Sequence, residues 1–238
     1  MKIVILVFAL IALSGCSEKE LRQTLETITA SAEELPLTNA EVVAALKDSL
    51  ARGISKGAII ASAQDGYYAN PLLKISFPPE VARVDQALRQ VGLGGEVDRF
   101  VLQLNRAAEL AAAKSRPIFI KSITAMTIGD AFEILNGPPD AATRYLMRTT
   151  GGELRAQFLP VVRDKLGETR ATRYYGDIVN KYNQLPFVSR IDPDLEGYAT
   201  DRAIEGLFLL VAEEEARIRA DPAARATALL RRVFGSLD

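Results

Sequence analysis

The chain has 238 residues, a formal net charge of −1, one cysteine, and neither histidine nor tryptophan. Its length fits one ordinary globular domain or two small ones. The lack of histidine excludes Ser-His-Asp hydrolysis, Cys-His proteolysis, HExxH zinc chemistry and His-ligated haem, because each needs an imidazole. The chain also has no basic excess with which to follow a phosphate backbone, so we expect no nucleic-acid partner.

The N-terminus has the pattern of an export signal. Lys2 precedes eleven apolar residues, Ile3 to Leu13, which is about half of the ~20 residues that a membrane-spanning helix needs. The run ends in Leu13-Ser14-Gly15-Cys16, which resembles the lipobox of bacterial lipoproteins. We predict a lipoprotein signal peptide over residues 1–15 and lipidation of the Cys16 thiol. An ordinary signal peptide that ends near a cysteine is the alternative.

Lipidation would decide where the protein resides. Each buried methylene contributes about 0.8 kcal/mol, so diacylglycerol and palmitate chains on Cys16 would hold it on a membrane. Ser17 follows Cys16. By similarity to lipoproteins of Gram-negative bacteria, a residue other than Asp there favours the periplasmic face of the outer membrane; a periplasmic protein is the alternative. We predict a lipidated tether over residues 16–37 and a single helical domain over residues 38–238.

Helix-start signals occur throughout this domain. Capping boxes are expected at Thr38–Glu41, Thr127–Asp130 and Thr150–Glu153, and Asp192-Pro193 offers an acceptor followed by a first-turn proline. Since β-branched runs with a period of two are absent, we predict an all-α fold, an orthogonal bundle of about nine helices. The longest irregular stretch, Tyr67 to Pro79, leaves room for one short hairpin near residues 72–77.

Two groups of residues are candidates for binding. Loops held by a rigid scaffold commonly carry binding residues, and adjacent tyrosines offer broad amphipathic contact; the alternative is that the tyrosines cover a helix end. A second group interrupts the most amphipathic helix. Its arginine and glutamate are three residues apart and have the spacing of an ion pair, whereas a buried asparagine beside them would need partners and would indicate a polar pocket. The loop group is Tyr67, Tyr68, Asn70 and Lys74, and the helix group is Asn105, Arg106 and Glu109.

Carboxylates are one remaining route to acid–base catalysis. Glu213-Glu214-Glu215 is the densest acidic run, but Glu213 and Glu215 precede Arg217 and Arg219 by four residues, the spacing of surface ion pairs. We interpret this run as a solvated helix face. Asp192 to Gly197 resembles the start of an EF-hand loop but lacks the twelfth-position glutamate, so we predict a helix cap there. We expect no metal site and no cofactor.

A series of segments resembles the bacterial family catalogued as domain of unknown function 4197, whose members are typically exported or lipidated. The segments are Asp65–Leu72, Leu104–Glu109, Met126–Ala131, Ala141–Tyr145, Gly206–Phe208 and Asp221–Arg225. The resemblance covers about residues 38–236. It implies a helical domain of Gram-negative envelopes, carries no established activity, and supplies no catalytic residues.

The function that these observations favour is a non-enzymatic, membrane-anchored lipoprotein. Its helical domain would bind an envelope protein or a cell-wall component, with the membrane as a second partner through the N-terminal lipid. Two alternatives stay open. One is an enzyme that uses carboxylates alone on peptidoglycan or another glycan; the other is a carrier of an apolar ligand in a cavity between helices.

Overall fold

The computed structural model describes residues 38–90, 92, 94–167, 175–176, 179–180, 182–184, 186–187, 190–192 and 194–220. The described residues from Asn39 onward belong to one compact unit. The signal peptide, the tether and Cys16 lie outside the described residues, so the predictions made for them stay predictions.

Helices account for most of the described chain. Seven α-helices and one 3-10 turn, Pro79–Val81, are defined within the described residues. The helices are α1 (Asn39–Ser62), α2 (Ala82–Gln90), α3 (Gly94–Ala112), α4 (Ser115–Ala125), α5 (Ile128–Leu135), α6 (Ala141–Gly167) and α7 (Leu195–Ala220). The all-α prediction is confirmed, whereas the count of about nine helices is not supported.

Helix α7 lies at the centre of the core, where it contacts α1, α3 and α6. Leu207 of α7 and Leu154 of α6 are fully buried, and the rings of Phe119 and Phe208 meet edge to face at 5.7 Å. Each large apolar side chain removed from water contributes about 1.5–3 kcal/mol. The core therefore fixes α3, which carries the helix group of candidate residues, and α1, which leads into the loop group.

Two glycines let α1 and α7 approach closely. A Cβ atom on Gly53 would lie 2.7 Å from Cγ of Glu214, and one on Gly57 would lie 3.4 Å from Cβ of Leu210. Cβ atoms essentially never come within 3.0 Å of another heavy atom. A side chain at residue 53 would therefore force the two helices apart or displace Glu214.

Several helix boundaries agree with the sequence signals. Thr127 and Asp130 form the predicted capping box at the start of α5, with the Thr127 hydroxyl accepting from the Asp130 amide at 3.1 Å. The expected start at Thr150 is wrong, because α6 continues through Thr150 to Gly167. The buried Thr150 hydroxyl instead donates to the Leu146 carbonyl at 2.6 Å, so it is satisfied inside the helix.

The start of α7 is shifted by two residues from the predicted cap. Asp194, rather than Asp192, accepts a hydrogen bond from the Gly197 amide at 2.8 Å, and Asp192 accepts from the Asp194 amide at 2.9 Å. Both acids are thus used in the turn that begins the helix, in agreement with a helix cap rather than a calcium loop.

The hairpin expected near residues 72–77 is wrong. Residues 72–77 are turn and irregular backbone, and the described residues contain no strand. The side chain of Asn105 on α3 takes the place of a partner strand: its amide oxygen accepts from the Ile75 amide, and its nitrogen donates to the Ile75 carbonyl, both at 2.8 Å. Because a helix side chain satisfies Ile75, no second strand is needed.

Among the described helices, none has both the length and the apolar composition required to cross a membrane.

Candidate functional site

The irregular segment after α1 begins with a tight reversal. Asp65 has a positive φ of 66°, and a Cβ atom on Gly66 would collide with the carbonyl oxygen of Ile60. Only glycine fits at residue 66, so this turn sets the direction in which the following tyrosines leave the helix.

Tyr67 points into the core. It is 0% exposed, and its hydroxyl donates to the Ala203 carbonyl of α7 at 2.6 Å. Gly206 leaves room for the ring, since a Cβ atom there would lie 2.9 Å from Cε1 of Tyr67. Tyr67 thus fastens the loop to the middle of α7 from within the core.

Glu109 of α3 holds the same turn from the interior side. One carboxylate oxygen accepts from the backbone amides of Tyr67 at 3.2 Å and Tyr68 at 3.3 Å. The other oxygen accepts from Arg106 at 2.6 Å, and Arg106 also donates to Asp65 at 2.7 Å. These hydrogen bonds join α3 to the loop. Because Glu109 is buried, the loss of one of them would leave a buried polar group unsatisfied.

The outer side of the loop remains at the surface. The Lys74 ammonium lies 4.5 Å from the centroid of the Tyr68 ring, and the Arg106 guanidinium carbon lies 5.9 Å from the same centroid. Leu72 is 69% exposed, and the Asn70 side chain accepts from its amide at 3.0 Å. We call Tyr68, Leu72, Lys74 and Arg106 the loop face.

The structure brings the two predicted groups together but divides their tasks. One subset lies in the interior and holds the loop: Tyr67, Asn105 and Glu109. Another subset is at least partly open to solvent: Tyr68, Asn70, Lys74 and Arg106. The predicted pairing of Arg106 with Glu109 is confirmed. Leu72 was not predicted; the available signal was an apolar residue directly after Asn70-Pro71, where the prolyl bond favours an irregular loop.

The buried Tyr67 hydroxyl predicts a change of stability in alkaline solution. Burial first, and the nearby Glu109 carboxylate second, raise the pKa of Tyr67 far above its ordinary value. Above about pH 10 the unfolded chain releases this proton while the folded chain keeps it, so the free energy of unfolding falls by up to about 1.4 kcal/mol per pH unit until the folded pKa is reached. Below about pH 10 this contribution is fully present.

Urea denaturation of wild type and Tyr67→Phe at several pH values checks this effect. We expect Tyr67→Phe to cost about 1 kcal/mol near neutral pH through loss of the bond to Ala203, and the wild-type advantage to shrink above about pH 10. Parallel stability profiles for the two proteins up to about pH 11.5 would contradict this expectation.

The three consecutive glutamates of α7 have three different surroundings. Glu213 is exposed. Glu214 pairs with Arg217 and Lys56, and these partners, Arg217 above all, hold the pKa of Glu214 below its ordinary value. Glu215 is buried. Interpreting the whole run as a solvated face was therefore wrong for Glu215, because its carboxylate faces the start of α6.

The two buried carboxylates of the described chain are both engaged. Glu109 bonds the two loop amides and Arg106, and Glu215 bonds the Ala142 and Thr143 amides and Arg219. Both carboxylates therefore accept hydrogen bonds that link one element of the described chain to another. Within the described ranges, no group of acidic side chains has the arrangement of a metal site.

Two features of the described residues concern the alternative of an interior ligand. Every buried side-chain nitrogen or oxygen among the described residues has a hydrogen-bond partner. The described part of the chain includes an open groove between α1 and α4, which is a surface feature rather than an interhelical cavity.

Together, the fold and the loop define an all-helical domain whose surface loop is held by hydrogen bonds to α3 and α7. The chain belongs to the family described as protein of unknown function (DUF4197), whose model matches residues 36–235. No curated protein and no solved structure matches the chain. The resemblance inferred from the sequence segments is thereby confirmed at the level of the family.

Proposed function

We propose that this protein is a lipid-anchored lipoprotein of the bacterial envelope, facing the periplasm, whose helical domain binds a partner protein through the loop face. The observation that carries the proposal is that one set of residues holds the loop from the interior while another set stays at the surface. Glu109, Asn105 and Tyr67 fix it from inside, while Tyr68, Leu72 and Lys74 stay at the surface. A rigid loop loses little entropy on binding, so this arrangement suits recognition.

The loop face also indicates the chemistry of the partner. Leu72 supplies an exposed apolar contact, and Tyr68 supplies a broad ring. The Lys74 ammonium lies over that ring and forms no ion pair with a described carboxylate. A partner segment with an apolar side chain next to an acidic one would fit, because it would cover Leu72 and neutralise Lys74.

Site-specific photocrosslinking in intact envelopes tests the binding role. We expect a crosslinker at residue 72 to give a discrete protein adduct, and Tyr68→Ala with Lys74→Glu to reduce that adduct at least about fivefold, as expected for loss of interface contacts. A crosslinker at Met147, another exposed apolar residue, is the matched control. Adducts of equal yield at residues 72 and 147 would refute the proposal. An adduct whose yield is unchanged by the double substitution would refute it as well.

The anchor is tested separately. The apolar run, the lipobox-like Leu13–Cys16 and the following Ser17 support it. We expect labelled palmitate to be incorporated by the wild type and not by Cys16→Ser, and the wild type to fractionate with outer membranes. An unlabelled wild-type protein in the soluble fraction would refute the anchor while leaving the binding role to the crosslinking experiment.

A further inference from the structure

Helices α1 and α4 lie side by side in opposite directions. Near one end, the Lys47 ammonium donates to the Thr124 carbonyl at 2.9 Å. Near the other end, Arg116 donates to the Ser55 hydroxyl at 3.1 Å. The sequence numbers rise along one helix as they fall along the other, so a shallow groove open to solvent runs between them.

The groove combines exposed apolar side chains with cations. Ile59 is 66% exposed and Ile60 is 40% exposed. Contact with water does not stabilise these apolar side chains. Long basic side chains border them. We call the set the α1–α4 groove: Arg52, Lys56, Ile59, Ile60, Arg116 and Ile120.

The charge around the groove is positive although the whole chain has a net charge of −1. Arg52 pairs with Asp48 and Lys56 pairs with Glu214, whereas Arg116 bonds only a hydroxyl among the described residues. Helix α4 contains no acidic residue. Three cations against two acids leave an excess that complements an anionic surface.

The place of the groove along the chain favours a membrane as that surface. Helix α1 begins at Asn39, immediately after the proposed tether of residues 16–37. Such a tether spans at most about 75 Å when extended, which allows the groove to lie flat on the bilayer that holds the anchor.

The side chains also suit lipid better than an acidic protein. Protein interfaces are enriched in aromatic side chains that act as anchors, whereas the described lining of this groove contains none. At a bilayer, long basic side chains reach the phosphates while apolar neighbours enter the boundary between headgroups and acyl chains.

We propose that the α1–α4 groove docks the domain on the anionic phospholipid headgroups of the anchoring membrane, with Arg52, Lys56 and Arg116 at the phosphates and Ile59 and Ile60 at the acyl boundary. This inference rests on the proposed anchor, which brings the domain to the membrane. Docking turns a tethered domain into an oriented one, and the orientation decides which other surfaces a partner meets.

Vesicle sedimentation tests the proposal without the anchor. The mature polypeptide, residues 16–238, contains the whole compact unit and carries no acyl chain when it is made without its leader. We expect it to bind vesicles of phosphatidylethanolamine and phosphatidylglycerol but not vesicles of phosphatidylcholine. An increase in salt concentration should release it from the anionic vesicles. The triple substitution Arg52→Glu, Lys56→Glu and Arg116→Glu should lower the partition coefficient at least about tenfold.

The matched control reverses the charge of three arginines on α6: Arg144→Glu, Arg155→Glu and Arg163→Glu. Each of these arginines forms an ion pair with an acid, as Arg52 and Lys56 do. We expect this control to retain most of the difference between anionic and neutral vesicles. A second variant, Ile59→Ser with Ile60→Ser, should weaken binding with the charges intact, and circular dichroism checks that each variant is folded.

Equal losses in the groove and control variants would overturn the proposal, as would equal binding to neutral vesicles or no binding at all. A protein adduct from a crosslinker at residue 59, without vesicle binding, would assign the groove to an acidic protein instead. Palmitate incorporation without vesicle binding refutes the docking surface alone. Vesicle binding without palmitate incorporation refutes the anchor alone.

Discussion

Replacement of Glu215 by alanine should destabilise the protein by about 2–4 kcal/mol, because the buried amides of Ala142 and Thr143 lose their acceptor and the ion pair with Arg219 is lost. Its carboxylate accepts from the Ala142 amide at 3.0 Å and from the Thr143 amide and hydroxyl, both at 2.8 Å. Arg219 donates to it at 2.9 Å and also to the Ile134 carbonyl at 2.9 Å. The Glu215–Arg219 pair of α7 thus links the start of α6 to the end of α5.

Chemical denaturation measures this effect, and the chain contains its own control. Glu213 lies two residues earlier on the same helix and is exposed, so Glu213→Ala should change stability by no more than about 0.5 kcal/mol. Thr143→Ala removes only one hydroxyl donor and should cost about 1 kcal/mol. Similar costs for Glu213→Ala and Glu215→Ala would contradict the role assigned to the buried carboxylate.

Replacement of Glu109 by alanine should cost about 2–4 kcal/mol and act mainly on the loop. The amides of Tyr67 and Tyr68 lose their acceptor, and Arg106 keeps Asp65 as its remaining acidic partner. The amides of Tyr67 and Tyr68 should therefore exchange hydrogen faster than in the wild type by more than the global loss of stability explains. Hydrogen exchange read residue by residue, with urea denaturation beside it, checks this.

Two controls separate the loop from the rest of the fold. Glu133→Ala changes an exposed helical glutamate and should leave both measurements within experimental error. Glu109→Gln keeps one oxygen that accepts from both loop amides but loses the charge and the second acceptor paired with Arg106, so an intermediate effect is expected. Unchanged exchange at Tyr67 and Tyr68 in Glu109→Ala would show that the loop holds its shape without this carboxylate.

Local signals in the sequence predicted much of the helical framework. The capping box at Thr127 and Asp130 needs only residues three apart, and it is present as expected. Thr150-Gly151-Gly152 has an equally good local pattern, yet α6 runs through it because Thr150 is buried and its hydroxyl bonds Leu146. Tertiary packing determines that no helix begins at Thr150, and this packing cannot be inferred from the local sequence.

The candidate site could be predicted in its membership but not in its arrangement. The polar residues that interrupt α3 indicated a cluster, and Asn105 and Glu109 do meet the loop. Which residues face inward depends on contacts across 30 to 42 positions of sequence, so spacing alone could not assign Tyr67 to the core and Tyr68 to the surface. The burial of Glu215 was missed for the same reason, since its partners lie 72 and 73 residues away.

The bond pair between Asn105 and Ile75 has a consequence for self-association. Extended backbone with free amides and carbonyls is a template on which another copy can add a strand, the first step toward aggregates. The donor and the acceptor of Ile75 are both occupied by the Asn105 side chain, so this buried residue offers an incoming chain no free backbone group with which to pair.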